Sequence, residues 1–258
     1  MSLAGRLGSA AAEERRAAIA ELAARSDAAP EELEALAACL GHARKAVQRP
    51  AAEAFASLAA RGLAVAPVLL RALEAPAVRQ RWGAAFALSL LGPPPPRVLP
   101  VLVETLGCDD GDLRWAAARI LPRVADRDAT VVLLGDLLRT GNAAQRKMSL
   151  YCLRDLEARS PAIEDEVVAR LEDADGDVRL AAMTTLARLA TDRGRAAARL
   201  LAILERDTPP LRRAAAAALG ALGHRSEAVV AALRAAAAGE ADAALARAAE
   251  RALGALGK

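Results

Sequence analysis

Aromatic residues are nearly missing from this 258-residue chain: two Trp, one Tyr and two Phe amount to 2% of it. Sheet proteins draw on aromatic and β-branched side chains, so the scarcity argues against a β fold. Histidine is rarer still, with only His42 and His224, far apart and in connecting segments. No H-E-x-x-H, no paired His and no Cys/His cluster occurs, so neither a metal site nor a cofactor is expected. The three cysteines, Cys39, Cys108 and Cys152, are scattered without a C-x-x-C pair. That pattern argues against a disulfide framework and fits a reducing compartment. Lysine is limited to Lys45, Lys147 and Lys258, and 35 basic residues face 32 acidic ones, for a net charge of +3. Without a dense basic run, nucleic acid is not the expected partner, since phosphate binding rests on Lys and Arg. No stretch of about 18 or more uncharged apolar residues exists, so no membrane span is expected. The segment from Met1 to Ala12 has no long apolar core flanked by basic residues. No secretory signal is therefore expected, and a cytoplasmic protein is. G-x-S-x-G, the P-loop and G-x-G-x-x-G are also missing.

What the chain does contain is Ala and Leu, within a hydrophobic share of 54%. Both are strong helix formers, so the class is all-α. A register V/L-R-x-x-A-x-x-x-L-x-x-L recurs along the chain, most clearly at Val178-Arg179…Ala182…Leu186…Leu189. Its opening residues are Val47, Val78, Leu113, Gln145, Val178, Leu211 and Leu245, separated by 31, 35, 32, 33, 33 and 34. Offsets of 0, 4, 8 and 11 from each opener share one helix face. The small residue at offset 4 lets two helices approach closely, and Leu fills the space beside it. On this count Trp82 falls at a core offset normally held by Ala, and reads as buried filler. Another apolar stripe precedes each opener, as in Val98-Leu99-Val101-Leu102 and Ile163-Val167-Val168. Turn formers such as Asp109-Asp110-Gly111-Asp112 and Asp207-Thr208-Pro209-Pro210 lie between. Asp before a helix can cap its free N–H groups. Gly92-Pro93-Pro94-Pro95-Pro96 reads as a stiff connector that accounts for the longer spacing after the second unit.

The segments Asp112-Leu113-Arg114-x-x-Ala117-x-x-x-Leu121 and Asp177-Val178-Arg179-x-x-Ala182-x-x-x-Leu186 resemble the HEAT repeat family. The likeness is to the short bacterial kind called phycobilisome-lyase HEAT-like repeats, over roughly residues 30 to 258. It implies a right-handed α-solenoid: one domain of about seven helical hairpins over 30–258, with residues 1–29 as a capping helix. It also implies a structural ladder between repeats, placed on Arg79, Asp112, Arg114, Arg146, Asp177, Arg179 and Arg212. The first unit departs from the pattern with Arg49 one place late and Pro50 inside the motif, and the last has Ala246 where Arg is usual.

In such stacks the second helices line the concave side. Most units place small residues at the offsets facing away from the core. The central units instead present Trp115, Arg119 and Arg123, then Lys147, Tyr151, Arg154 and Asp155, then Arg188. Trp, Tyr and Arg dominate binding hot spots. The expected function is a non-catalytic scaffold or adaptor, with a protein partner held through Trp115, Arg119, Arg123, Lys147, Tyr151, Arg154 and Arg188. The Arg content favours an acidic segment on that partner. No catalytic residue is assigned. A bilin lyase or isomerase-like enzyme is the alternative, and a HEAT-like alkylpurine DNA glycosylase a weaker one. Deoxyhypusine hydroxylase, a HEAT-repeat metalloenzyme, is disfavoured because its His-Glu pairs are absent from this sequence.

Overall fold

The computed structural model describes residues 1–239 and 242–257. Sixteen α-helices and no strand occur among the described residues, in eight successive pairs. The pairs are α1 (Leu3–Leu7) with α2 (Ala12–Ala24), α3 (Pro30–Cys39) with α4 (Lys45–Ala60), and α5 (Ala66–Ala72) with α6 (Val78–Leu91). Next come α7 (Leu99–Leu106) with α8 (Gly111–Ile120), and α9 (Arg127–Thr140) with α10 (Ala143–Asp155). The last are α11 (Pro161–Ala169) with α12 (Gly176–Leu189), α13 (Arg193–Arg206) with α14 (Pro209–Leu222), and α15 (Glu227–Ala238) with α16 (Ala243–Leu256). The helices pack in chain order as an all-α solenoid of hairpins. They divide into two compact units, Met1–Thr130 and one that starts at Val131, with the boundary inside α9. Among the described residues no helix is long and apolar enough to cross a membrane.

Each motif opener except Val78 is the third residue of its second helix, as Val47 is in α4 and Val178 in α12. Val78 is instead the first residue of α6 and is 51% exposed. The third residue there is Gln80, and Gln80-Arg81 matches Gln145-Arg146 at the start of α10. Counted from Gln80, the openers are 33, 33, 32, 33, 33 and 34 residues apart. The four-proline loop therefore lengthens nothing, and the expected register of the second unit is two residues early. Val78-Arg79 imitates the Val-Arg dipeptide of the motif, and only packing separates the two frames.

The N-terminal region also departs from expectation. Residues 1–29 are expected to form a lone capping helix, yet α1 and α2 make a hairpin, and α2 packs on α4 as a second helix. Glu14 is the third residue of α2, 33 before Val47, and it extends the series by one repeat. The small residues at offset 4 are then Ala18, Ala51, Ala84, Ala117, Ser149, Ala182, Ala215 and Ala249, all with 0% exposure. A side chain without Cγ at every one of these positions lets consecutive second helices approach closely, as α4 does α6 and α12 does α14. Beside this row lie Leu22, Phe55, Leu121, Leu186 and Leu219, also fully buried. Each such side chain contributes roughly 1.5–3 kcal/mol by leaving water. Gln145, polar at an opener, has a local cause. Asn142 and Gln145 form a reciprocal capping box at the start of α10, each backbone N–H donating to the other's side chain at 2.9 Å.

Candidate functional site

Beneath the second-helix face runs the ladder. At the residue after every opener but the last, where Ala246 stands, a side-chain donor reaches the end of the preceding helix, where backbone carbonyls lack helical partners. Arg15 donates to the Ser9 carbonyl at 2.7 Å and Gln48 to that of Leu40 at 2.8 Å. Arg81 donates to those of Ala75 and Pro76, and Arg114 to Cys108 at 2.6 Å. Arg146 reaches Gly141, Arg179 reaches Leu171 and Arg212 reaches Leu204, each at 2.8 Å. Three of these arginines also bind an acid of the next hairpin: Arg81 with Glu104, Arg146 with Asp173, and Arg179 with Asp207. Asp173 has 3% side-chain exposure, which alone would raise its pKa. The Arg146 guanidinium, bonded at 2.8 Å through two nitrogens, the donating Asp175 backbone N–H and the nearby Arg170 together outweigh this and hold the carboxyl below its usual range.

The expected ladder therefore changes in three members. The Arg79 guanidinium makes no polar contact among the described residues, and only its backbone carbonyl is used, by Gln48 at 3.3 Å. Its role belongs to Arg81, because α6 starts two residues away from where the motif placed it. Asp112 and Asp177 lie in the first turn of α8 and α12 and bind lysines on other second helices, Lys45 at 3.3 Å and Lys147 at 2.7 Å. The ladder acids are Glu104, Asp173 and Asp207, and the sequence signal for them is an acid 23 to 28 residues after the arginine. Gln48 and Arg15 also went unassigned, although the 33-residue step from Arg81 lands on both.

The expected binding residues fall in both units. In the first, Trp115 is 52% exposed on α8 and Arg119, one turn on, is exposed without a polar partner among the described residues. Arg123 is exposed but committed, since it donates to the Ser89 carbonyl at the end of α6 at 2.8 Å. In the second, Lys147 binds Asp177, Arg154 binds Asp155 at 3.2 Å and Arg188 binds Glu157 at 2.5 Å. Arg154 also stacks on Tyr151, its guanidinium carbon 5.1 Å from the ring centre. The cations of the second unit are thus neutralised locally, and those of the first are not.

The corrected register also moves Trp82 and Phe86. They sit at offsets 2 and 6 of α6, the positions of Trp115 and Arg119 in α8. Their rings stack with centroids 6.2 Å apart. The backbones of α6 and α8 stay apart, whereas other consecutive second helices within each unit pack closely. Gly83 explains the lean of α6: a Cβ there would lie 2.5 Å from the Leu40 carbonyl oxygen, so its absence lets α6 approach α3. What opens on the other side is a slot of about 60 Å³, lined by Lys45, Gln48, Arg49, Trp82, Phe86, Asp112, Leu113 and Ala116.

Residues 164–254 match the family model described as HEAT repeats. No curated protein matches the chain. Among solved structures the chain is similar to the crystal structure of an engineered protein, at 20% identity and a TM-score of 0.51, over 98% of this chain and 77% of that one. That likeness extends to the fold. Human deoxyhypusine hydroxylase in complex with glycerol is more distant, at 19% identity and a TM-score of 0.41, over 99% and 94% of the two chains. The chain is thus an all-α solenoid of helical hairpins whose residues 164–254 are similar to HEAT repeats.

Proposed function

We propose that this protein is a non-catalytic scaffold that holds a protein partner on the face of its second helices. The observation that carries the reading is Trp115, a large aromatic side chain left 52% exposed at a position facing away from the core. Such a residue is tolerated in water at a cost in solubility, and interfaces use it as an anchor. The ladder supports the same reading from beneath. Its arginines are committed to helix ends and, at Arg81, Arg146 and Arg179, to acids of the next hairpin, which leaves the exposed second-helix side chains for docking. HEAT repeats serve protein recognition in general, and the hairpins give the face a rigid base. The three cysteines are free, which fits the reducing cytoplasm.

The test is capture of binding proteins from a lysate of the source cells on the immobilised full chain, compared with Trp115→Ala and Tyr151→Ala. Loss of a captured protein with either variant is the expected result. Capture that neither substitution changes removes this face as the binding surface.

A further inference from the structure

We infer that the slot between α6 and α8 is a docking site for an acidic peptide segment, which inserts one apolar side chain against Trp82 and Phe86 and sets carboxylates against Arg49 and Arg119. This deepens the scaffold reading and rests on it. The slot is a consequence of packing. Gly83 draws α6 toward α3, the stacked rings of Trp82 and Phe86 form one wall, and Leu113 and Ala116 of α8 form the other. Both ends are held: Lys45 and Asp112 form an ion pair at one rim, and Arg123 binds the Ser89 carbonyl at the other end of α6. A cavity of about 60 Å³ is several times the 10–15 Å³ or so that one water needs. It suits the end of a single apolar side chain.

Charge selects the partner. Arg49 lines the slot and Arg119 lies one turn beyond Ala116, and neither guanidinium has an ion pair or hydrogen bond among the described residues. With Lys45 they set three cations against one lining carboxylate, Asp112, which is already paired. Glu53, a turn beyond Arg49 on α4, lines the separate groove between α2 and α4. A carboxylate arriving beside an inserted apolar group finds two unpaired guanidinium groups suited to bidentate pairing. A nucleic acid fits less well, because Trp82 is only 6% exposed and offers no open stacking face, and two separated arginines make no backbone track.

Of the chain's two tryptophans Trp82 lines the slot, and Trp115 adjoins the lining residue Ala116 on α8, so intrinsic fluorescence reads the site through Trp82. Three probes are titrated into the full chain: a short blocked peptide with a central leucine flanked by glutamates, the same peptide with lysines in place of glutamates, and a single-stranded thymidine oligonucleotide. The glutamate peptide is expected to shift the emission, and Trp115→Phe, which leaves Trp82 as the sole tryptophan, is expected to retain a shift. Arg49→Glu and Arg119→Glu, both at exposed positions, should each weaken binding by roughly tenfold, with circular-dichroism melts matching the wild type. The inference is overturned if the glutamate peptide causes no shift at millimolar concentration, if charge reversal leaves its affinity unchanged, or if the lysine peptide or the oligonucleotide binds as well. Any of these outcomes alongside a lysate capture that still depends on Tyr151 would remove the slot and leave the scaffold reading standing.

Discussion

At the scale of the residue, two polar groups in the core behave differently. Ser149 occupies the small-residue row, and its hydroxyl is buried without a hydrogen-bond partner. The seven equivalent positions are alanine. Ser149→Ala should therefore raise the free energy of unfolding by about 1 kcal/mol, read as a higher urea midpoint with an unchanged slope. Asp173 is the opposite case, a buried carboxylate fully engaged by Arg146. Its folded-state pKa is depressed, so it contributes stability above its unfolded value of about 3.9, and that contribution is lost as pH falls through the lower folded value. Urea midpoints measured from about pH 5 downward should fall for the wild type. Asp173→Asn should be less stable at neutral pH and flatter over the same range. A parallel fall in both proteins would show that the pair contributes nothing to acid sensitivity.

At the scale of the element, the lean of α6 is the informative feature. Gly83→Ala would place a Cβ against the Leu40 carbonyl, where a backbone atom cannot yield as a flexible side chain would. The expected destabilisation is about 1–3 kcal/mol, in line with overpacking of a close contact. Because relief requires α6 to move toward α8, the same variant should also change the emission of Trp82. A normal melt with an unchanged spectrum would refute the role given to Gly83. Much of the element level was legible in the sequence: helices, turn residues and Asp caps follow from periodicity and local hydrogen bonding. Asp110 and Asp175 cap α8 and α12 through the backbone N–H groups of the next turn. The frame of α6 was not legible, because Val78-Arg79 and Gln80-Arg81 are both acceptable local matches. The choice between them depends on which arginine meets the end of α5 and Glu104.

At the scale of the whole molecule, stability in a repeat array is a sum of units and their nearest-neighbour interfaces. Ser149→Ala and Gly83→Ala fall in different compact units. Their effects should add within about 0.5 kcal/mol in the double variant, as expected for sites without shared partners. A larger discrepancy in urea-unfolding free energies would mean coupling beyond neighbouring repeats.

The sequence by itself determined the helical class, the step of about 33 residues and the apolar faces, because each depends on spacing along one helix or between neighbours. It also marked Trp115 and Arg119 as facing away from the core. Only the tertiary structure decided that the N-terminal segment is a full hairpin, that Arg81 rather than Arg79 joins the ladder, and which acids answer the arginines. It alone made Trp82 and Phe86 the wall of a slot. Those outcomes depend on how closely separate helices approach, and that distance is set by Gly83 and the alanine row acting against side chains many residues away.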